Sequence, residues 1–479
     1  MTRLENKEVL VLGLGLSGVA ASRLLKRLGA KVWAVDSADT EELRAQAAEL
    51  EAIGINVQLE ANAAPHRRFD LVVVSPGVPP TNSIYTAMRS KEVQIIGEFE
   101  LAAQNSFCLN IAITGTNGKT TTTELTERLL LQNQIRTMAA GNIGLPFCSV
   151  VEKTRELDFL TLEVSSFQLE TIKFFRPAIA VVLNITPDHL DRYSNIGEYI
   201  RAKGRVFENQ QAFDWAVVQS EALARLKAES VGIPSKIITF SAQDKTADIY
   251  LERGLIISRM PDWAGPLLNM DECLLRGPHN AENLMATLAV GRILRIPLER
   301  MIETLNSYAP APHRCERVAQ VNGVTFVNDS KATNVDAVQK ALLSIPRAPD
   351  SGANVWLIAG GRDKGFEYHD LGPLLAERVK GAFLIGEARE KIRAAWGLFT
   401  PCTPVDSLLE AIQRAAASAV AGDVVLLSPA CSSFDQFRNY QHRGEVFRQA
   451  VARLQQKGLS NPPAQGSRIK ENGSVELTK

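Results

Sequence analysis

Lys119 and Thr120 close the run Ile111-Ala-Ile-Thr-Gly-Thr-Asn-Gly-Lys-Thr-Thr121, a strand, a glycine loop and a helix start in that order. A lysine behind such a loop reaches the β- and γ-phosphates of ATP, and the hydroxyl next to it can hold Mg²⁺. The loop departs from the common pattern, because Ile113 stands where its first glycine would be and Gly115 takes that part. Gly115, Thr116, Asn117, Gly118, Lys119, Thr120 and Thr121 form the expected ATP-binding set. Further on, the apolar run Phe159–Leu162 ends in Glu163. An acid at the carboxyl end of a strand in such a domain is placed for magnesium, the alternative being a solvated strand end. His189, in Asn184-Ile-Thr-Pro-Asp-His-Leu-Asp191, is open to three readings: metal ligand, base or satisfied polar residue. Lys203, on a following helix, reads from the residues alone as solvated surface.

A second glycine loop, Gly13-Leu-Gly-Leu-Ser-Gly18, lies between a strand and a helix, and a second strand ends in Asp36. Glycines so placed let backbone N–H groups approach a pyrophosphate. Alone they favour NAD, with a purely structural turn as the alternative. A third strand, Leu71–Val74, runs into Ser75-Pro-Gly77, whose small residues suit a loop close to a diphosphate or a plain turn. Cys431 could be a nucleophile, but no histidine pattern accompanies it, and a buried structural thiol fits better.

These residues need strands and helices to aim them. Short β-branched runs recur at Val9–Leu12, Lys31–Val35, Leu71–Val74, Ile111–Ile113, Phe159–Leu162, Val181–Leu183, Val355–Ile358, Phe383–Ile385 and Val424–Leu427. Segments of helical periodicity separate most of them, among them Ala20–Leu28, Thr122–Leu131 and Leu408–Ala417. The pattern predicts an α/β protein with mainly parallel sheets. A chain of 479 residues exceeds one core, so three domains are expected, divided near 98 and near 310. The segment around Gly97–Phe107 reads as a linker and Tyr308-Ala-Pro-Ala-Pro312 as a stiff break. Residues 235–275 have mixed patterning and no assigned function, and residues 458–479 read as a disordered tail.

Lys+Arg 53 against Asp+Glu 53 leaves no net charge to hold nucleic acid or an anionic membrane. Six scattered cysteines form no disulfide framework and point to a reducing cytoplasm. No run reaches the ~18 apolar residues of a membrane span, and no signal peptide is read.

Taken in order, Thr114–Thr121, Gly141-Asn-Ile-Gly144, Glu163-Val-Ser-Ser-Phe-Gln168, Asp188-His189 and Lys203 resemble the Mur ligase family, and the likeness runs from Gly13 to about residue 455. The resemblance implies a Rossmann-like N-terminal domain (1–98) holding a UDP-sugar, a central P-loop ATPase-like domain (99–310) and a Rossmann-like C-terminal domain (311–457) taking the amino acid. It implies that Lys203 is carbamylated and, with Thr120, Glu163 and His189, holds Mg²⁺, two ions in all. Lys119, His189, Lys203 and Arg314 become the catalytic set. Asn280 and Asn283, in Gly277-Pro-His-Asn-Ala-Glu-Asn283, would face adenine, Asp329 the ribose, and Lys331 and Arg314 the phosphates. Gly15, Leu16, Ser17, Asp36, Ser37, Ser75, Gly77, Asn142, Ser165, Gln168 and His189 would line the UDP-sugar.

The run Leu427-Ser-Pro-Ala-Cys-Ser-Ser-Phe-Asp-Gln-Phe437, continuing to Gly444, resembles the SPACxSxDQFxNFxxRG pattern of the D-glutamate-adding branch, with Tyr440 in place of phenylalanine. This implies that Thr333, Lys364, Ser433, Phe434 and Tyr440 hold D-glutamate. The implied reaction joins D-glutamate to UDP-N-acetylmuramoyl-L-alanine at the expense of ATP, on a monomer, with the C-terminal domain closing for catalysis. An NAD-dependent oxidoreductase, another amide ligase of the same superfamily and a P-loop switch module are the competing readings.

Overall fold

Three sheets repeat one rule: a central apolar strand opens at its carboxyl end into a loop carrying polar residues. The computed structural model describes residues 4–142, 144–189, 192–309, 312–347, 352–363 and 365–460. In the first sheet all five strands are parallel, ordered Asn56–Gln58, Lys31–Val35, Glu8–Leu12, Leu71–Val74, Gln94–Gly97. Val9, Leu10 and Val11 are wholly buried, because a parallel strand covered on both faces has no polar side to present.

The second sheet has nine strands. Leu109–Thr114 lies between Phe159–Glu163 and Ile179–Val182, all parallel, with Thr137–Gly141 at one edge. On the other side it continues through Trp215–Gln219 and Lys236–Ser241, then Ile249–Glu252, Leu255–Ser258 and Gly265–Asn269. The last two pair antiparallel. The mixed stretch 235–275 is therefore sheet extension, and its strands of four to six residues, the later ones separated by Gly254 and Pro261, are too short to leave a clear alternation.

The expected linker at Gly97–Phe107 contains a buried helix, Glu98–Ala103. Its carboxylates made it look solvated, yet Glu100 accepts the backbone N–H groups of Lys173, Phe174 and Phe175 at 2.9, 2.9 and 3.1 Å. Beside it, Phe99 meets Phe147 and Phe175 edge-on at 5.3 and 4.8 Å. One apolar cluster runs from Leu24 and Leu25 through Phe99 to Leu160 and Val182, so the first two sheets share a core.

The described residues divide into two compact units, the first ending before residue 312 but including Gly365 and Phe366, the second made of the rest from residue 312 on. The second holds six strands, ordered Glu316–Val321, Val324–Asn328, Val424–Leu427, Val355–Gly360, Val379–Ile385, Cys402–Pro404. Among these strands, as described, only the first pairing is antiparallel. The closing helix spans Tyr440–Ser460, three residues into the stretch expected as tail, and residues 461–479 lie outside the described residues. Among the described residues no helix is long and apolar enough to cross a membrane.

Candidate active site

The phosphate loop is built by neighbours on adjoining strands. Gly118 caps helix Lys119–Gln132 at φ +87°, and an added Cβ there would run into Asn283 Oδ1. Asn184, just past strand Ile179–Val182, clamps the loop from the other side: its Oδ1 accepts Asn117 N–H at 2.8 Å and its Nδ2 donates to Asn117 O at 2.9 Å. Thr116 Oγ1 donates to Thr186 O at 3.0 Å and lies 3.2 Å from the Tyr199 hydroxyl. Lys119 Nζ donates to Gly115 O and Thr116 O, both at 2.9 Å. Thr120 and Thr121 follow in the helix's first turn, where free N–H groups favour phosphate.

Lys203 is no surface lysine. It is 1% exposed, its Nζ donates to Gly115 O at 2.9 Å, and it stands 4.6 Å from the Tyr199 ring centroid. Burial, reinforced by the Lys119 charge, holds its ammonium well below the usual lysine range, against the pull of Asp188 and Glu163. Its depth comes from the packing of helix Ile196–Gly204, which no local pattern reports.

Glu163 is buried at its strand end, where Oε1 accepts Asn142 Nδ2 at 2.7 Å and Oε2 has no hydrogen-bond partner. A buried carboxylate oxygen left unsatisfied fits a cation ligand. Among the described residues no group of three or more His, Cys, Asp and Glu could hold a metal alone. His189 stands at φ +55° with Nε2 3.8 Å from Asp188 Oδ2, and its ring meets Phe167 edge-on at 4.7 Å. Ser165 and Gln168 form a capping box on helix Ser166–Leu169. On helix Pro278–Ile293, Asn283 Oδ1 accepts Thr122 Oγ1 at 3.3 Å and its Nδ2 donates to Asn280 Oδ1 at 3.2 Å.

In the first sheet, an added Cβ on Gly18 would strike Gly13 O, so glycine is needed for the helix to approach the strand. Asp36 has both oxygens on backbone donors, Leu14 N–H at 2.7 Å and Ala38 N–H at 2.9 Å. Ser75 Oγ donates to Gly13 O at 2.8 Å. Gly15, Leu16 and Ser37 are exposed beside them, Ser17 is half-buried, and no atom approaches within 4 Å of the Cβ position on Gly77.

In the second unit Asp329 is buried, with Oδ1 accepting Cys315 N–H at 3.1 Å and Oδ2 accepting Ser428 Oγ at 2.9 Å. Burial pushes its carboxyl up to about 7, although the Arg314 charge pulls the other way. Lys331 Nζ lies 4.0 Å from the Tyr440 ring centroid. Ser433 is buried, Thr333 half-buried and Phe434 exposed. Arg443, wholly buried, ties the loops together by donating to Ser330 O at 2.8 Å and to Cys431 O at 3.2 Å. Cys431 is buried against the Tyr368 hydroxyl at 3.2 Å, and burial pushes its thiol up to about 12, the opposite of nucleophile activation. Lys364 lies outside the described residues.

Asn184, Tyr199 and Arg443 were not singled out from the sequence as site-building residues. The signal for Asn184 was available, since an amide at a strand end beside a glycine loop can pair with loop backbone.

Three family models match along the chain: the Mur ligase MurD-like N-terminal domain over residues 7–97, the Mur ligase middle domain over 113–291 and the Mur ligase glutamate ligase domain over 313–431. The chain is 41% identical over 452 residues to the UDP-N-acetylmuramoylalanine–D-glutamate ligase of Acidobacterium capsulatum, covering 94% of this chain and 96% of that protein. The ligase of the same name from Koribacter versatilis is also 41% identical, over 94% of this chain and 98% of its own. Among solved structures, the fold is similar to UDP-N-acetylmuramate-alanine ligase MurC of Thermotoga maritima (TM-score 0.58, 18% identity, 94% and 100% of the two chains). It is also similar to MurF ligase of the same organism, solved in complex with ADP (TM-score 0.58, 18% identity, 95% and 96%).

Proposed function

The chain belongs to the Mur ligase family of ATP-dependent, amide-forming enzymes, and from that premise we propose that it joins D-glutamate to UDP-N-acetylmuramoyl-L-alanine in the cytoplasm, for peptidoglycan precursor synthesis. The observation that carries the reading is the 41% identity, across 94% of the chain, with ligases named for that reaction. The geometry around Gly115 and Glu163 agrees with it.

A carboxylate does not condense with an amine at neutral pH until one of its oxygens becomes a good leaving group. An L-alanyl carboxylate oxygen attacks the γ-phosphorus of ATP, the bond to the β-phosphate oxygen breaks, and ADP leaves. The D-glutamate nitrogen then attacks the acyl carbon, loses a proton, and the carbon–oxygen bond breaks to release phosphate. Lys119 and the N–H groups of Gly118 to Thr121 hold the β- and γ-phosphates, and Arg314 offsets charge on the transferred group.

Mg²⁺ neutralises phosphate charge when bound, and Thr120, Glu163, His189 and carbamylated Lys203 are the residues that would hold it, two ions being the number we propose. A neutral amine is what CO₂ requires to form a carbamate, and the depressed Lys203 ammonium supports that modification. We assign His189 to metal rather than to amine deprotonation, since a coordinated nitrogen cannot also take a proton. Gly15, Ser17, Ser75 and Gly77 face the UDP-sugar diphosphate. Asn280, Asn283 and Asp329 serve the adenosine, and Thr333, Lys364, Ser433 and Tyr440 the amino acid.

The test is to label both carboxylate oxygens of the L-alanyl group with heavy oxygen and follow one turnover. The acyl-phosphate route delivers one label to the released phosphate. Unlabelled phosphate would exclude it.

A further inference from the structure

Arg192 belongs to the central domain yet reaches the first. Its Nη1 donates to Pro76 O at 3.0 Å, in the Ser75-Pro76-Gly77 loop, and its Nη2 donates to Glu170 Oε2 at 2.6 Å. The same guanidinium lies 4.1 Å from the Phe167 ring centroid, and Phe167 meets the His189 ring edge-on. Glu170 is itself fixed, because its Oε1 accepts the Tyr193 hydroxyl at 2.6 Å and its backbone carbonyl accepts Arg205 Nη1. Beyond Pro76, Ser75 Oγ holds Gly13 O, the entry to the first glycine loop. A continuous chain of contacts therefore runs from His189 through Phe167, Arg192, Pro76 and Ser75 to Gly13.

We propose that Arg192 is a positioning residue, setting the UDP-sugar loops of the first domain in register with the segment that carries His189; this rests on the reading of those loops given above. The UDP-sugar is a long ligand whose reacting carboxylate lies many bonds from its diphosphate. A small rotation of the diphosphate loops therefore becomes a larger displacement of the carboxylate from the phosphorus it must attack. Misplacement by about 1 Å costs a reaction of this kind roughly a hundredfold. Arginine suits the post because one planar fork serves two acceptors at once while its face stacks on a ring. A lysine ammonium carries three donors but lacks the planar fork that spans the separated Pro76 and Glu170 oxygens while its face stacks on a ring.

The experiment compares the full-length wild type with Arg192→Lys and Arg192→Gln. For each, UDP affinity is measured by calorimetry, with kcat, the KM values for UDP-N-acetylmuramoyl-L-alanine and ATP, and Tm. UDP alone bonds the first domain and does not sense the register, so its affinity and the KM for ATP stay within about twofold while kcat falls about ten- to a hundredfold. Lysine restores part of the loss and glutamine none. The proposal is overturned by an unchanged kcat, by UDP affinity falling in step with kcat, or by a lower Tm with kcat per folded molecule retained. Should both variants fail to fold, Glu170→Gln, which loosens the hold on Nη2 and keeps Arg192, gives the same comparison. A wild type that neither binds UDP nor turns over overturns the proposed function and this inference together. A wild type that does both, matched by Arg192→Lys, overturns this inference alone.

Discussion

Lys203 and Glu98 are ionisable side chains whose charged forms burial disfavours, each with a measurable consequence. If Lys203 carries a carbamate, exhaustive removal of CO₂ and bicarbonate should lower kcat at least about tenfold and their return should restore it. Lys203→Ala should be insensitive to CO₂ and partly rescued by a short carboxylic acid; a wild type indifferent to CO₂ would speak against the modification. Glu98 is buried with Oε1 on the Cys148 N–H at 2.7 Å and Oε2 unpartnered, and burial raises its carboxyl from 4.5 to about 7. Below pH 4.5 both folded and unfolded chains hold the proton. Above it the unfolded chain releases it first, so this group's contribution falls as pH rises and is lost by about 7. Glu98→Gln should therefore melt higher than wild type at pH 8, by on the order of 1–3 kcal/mol, with the gap closing at pH 4.5. An equal deficit at both pH values would refute the argument. The family resemblance marks Lys203, but the burial of neither residue was legible from the residues themselves, since a lone Lys or Glu on a helix looks solvated and only tertiary packing buries it. Asp36 shows the same limit: the sequence places it at the strand end, and only the structure reveals that the Leu14 and Ala38 N–H groups occupy its oxygens.

Among elements, the glycine loops were the most legible, because spacing alone dictates their backbone. Gly118 must adopt φ +87° at a helix start, and the motif records that need directly. Gly118→Ala adds backbone strain of about 1–2 kcal/mol and pushes Asn283. ATP turnover is expected to fall about a hundredfold with the fold retained, as judged by circular dichroism, whereas a near-normal kcat would mean the loop is not where phosphate binds. The strands Lys31–Val35, Leu71–Val74 and Val424–Leu427 emerge with the expected bounds, since buried parallel strands read as unbroken apolar runs. The helix Glu98–Ala103 and the strands between Lys236 and Asn269 were missed for the converse reason, as acidic or short segments are recognised only by what they pack against.

At the scale of the whole molecule, the shared core of the first two sheets sets how the chain comes apart. Leu24 and Leu25 lie in one cluster with Phe147 and Phe175, while the second unit has a separate core around Phe326, Ile358 and Phe447. Calorimetry should resolve two transitions rather than three, and UDP should raise only the one belonging to the first unit, by about 2.7 kcal/mol at a hundredfold excess over Kd. Three transitions, or a UDP shift in the other unit, would contradict this division. Linkers and restarts predict three domains, and three family models match in succession; that the first two share a core leaves no local mark.

The central claim is tested most directly by phosphate release from ATP with Mg²⁺ and UDP-N-acetylmuramoyl-L-alanine, comparing D-glutamate, L-glutamate and no amino acid. Release that requires both the UDP-sugar and D-glutamate, matched one for one by the new amide, is the predicted result. Release supported equally by another amino acid, or NAD binding with no ATP turnover at all, would contradict it.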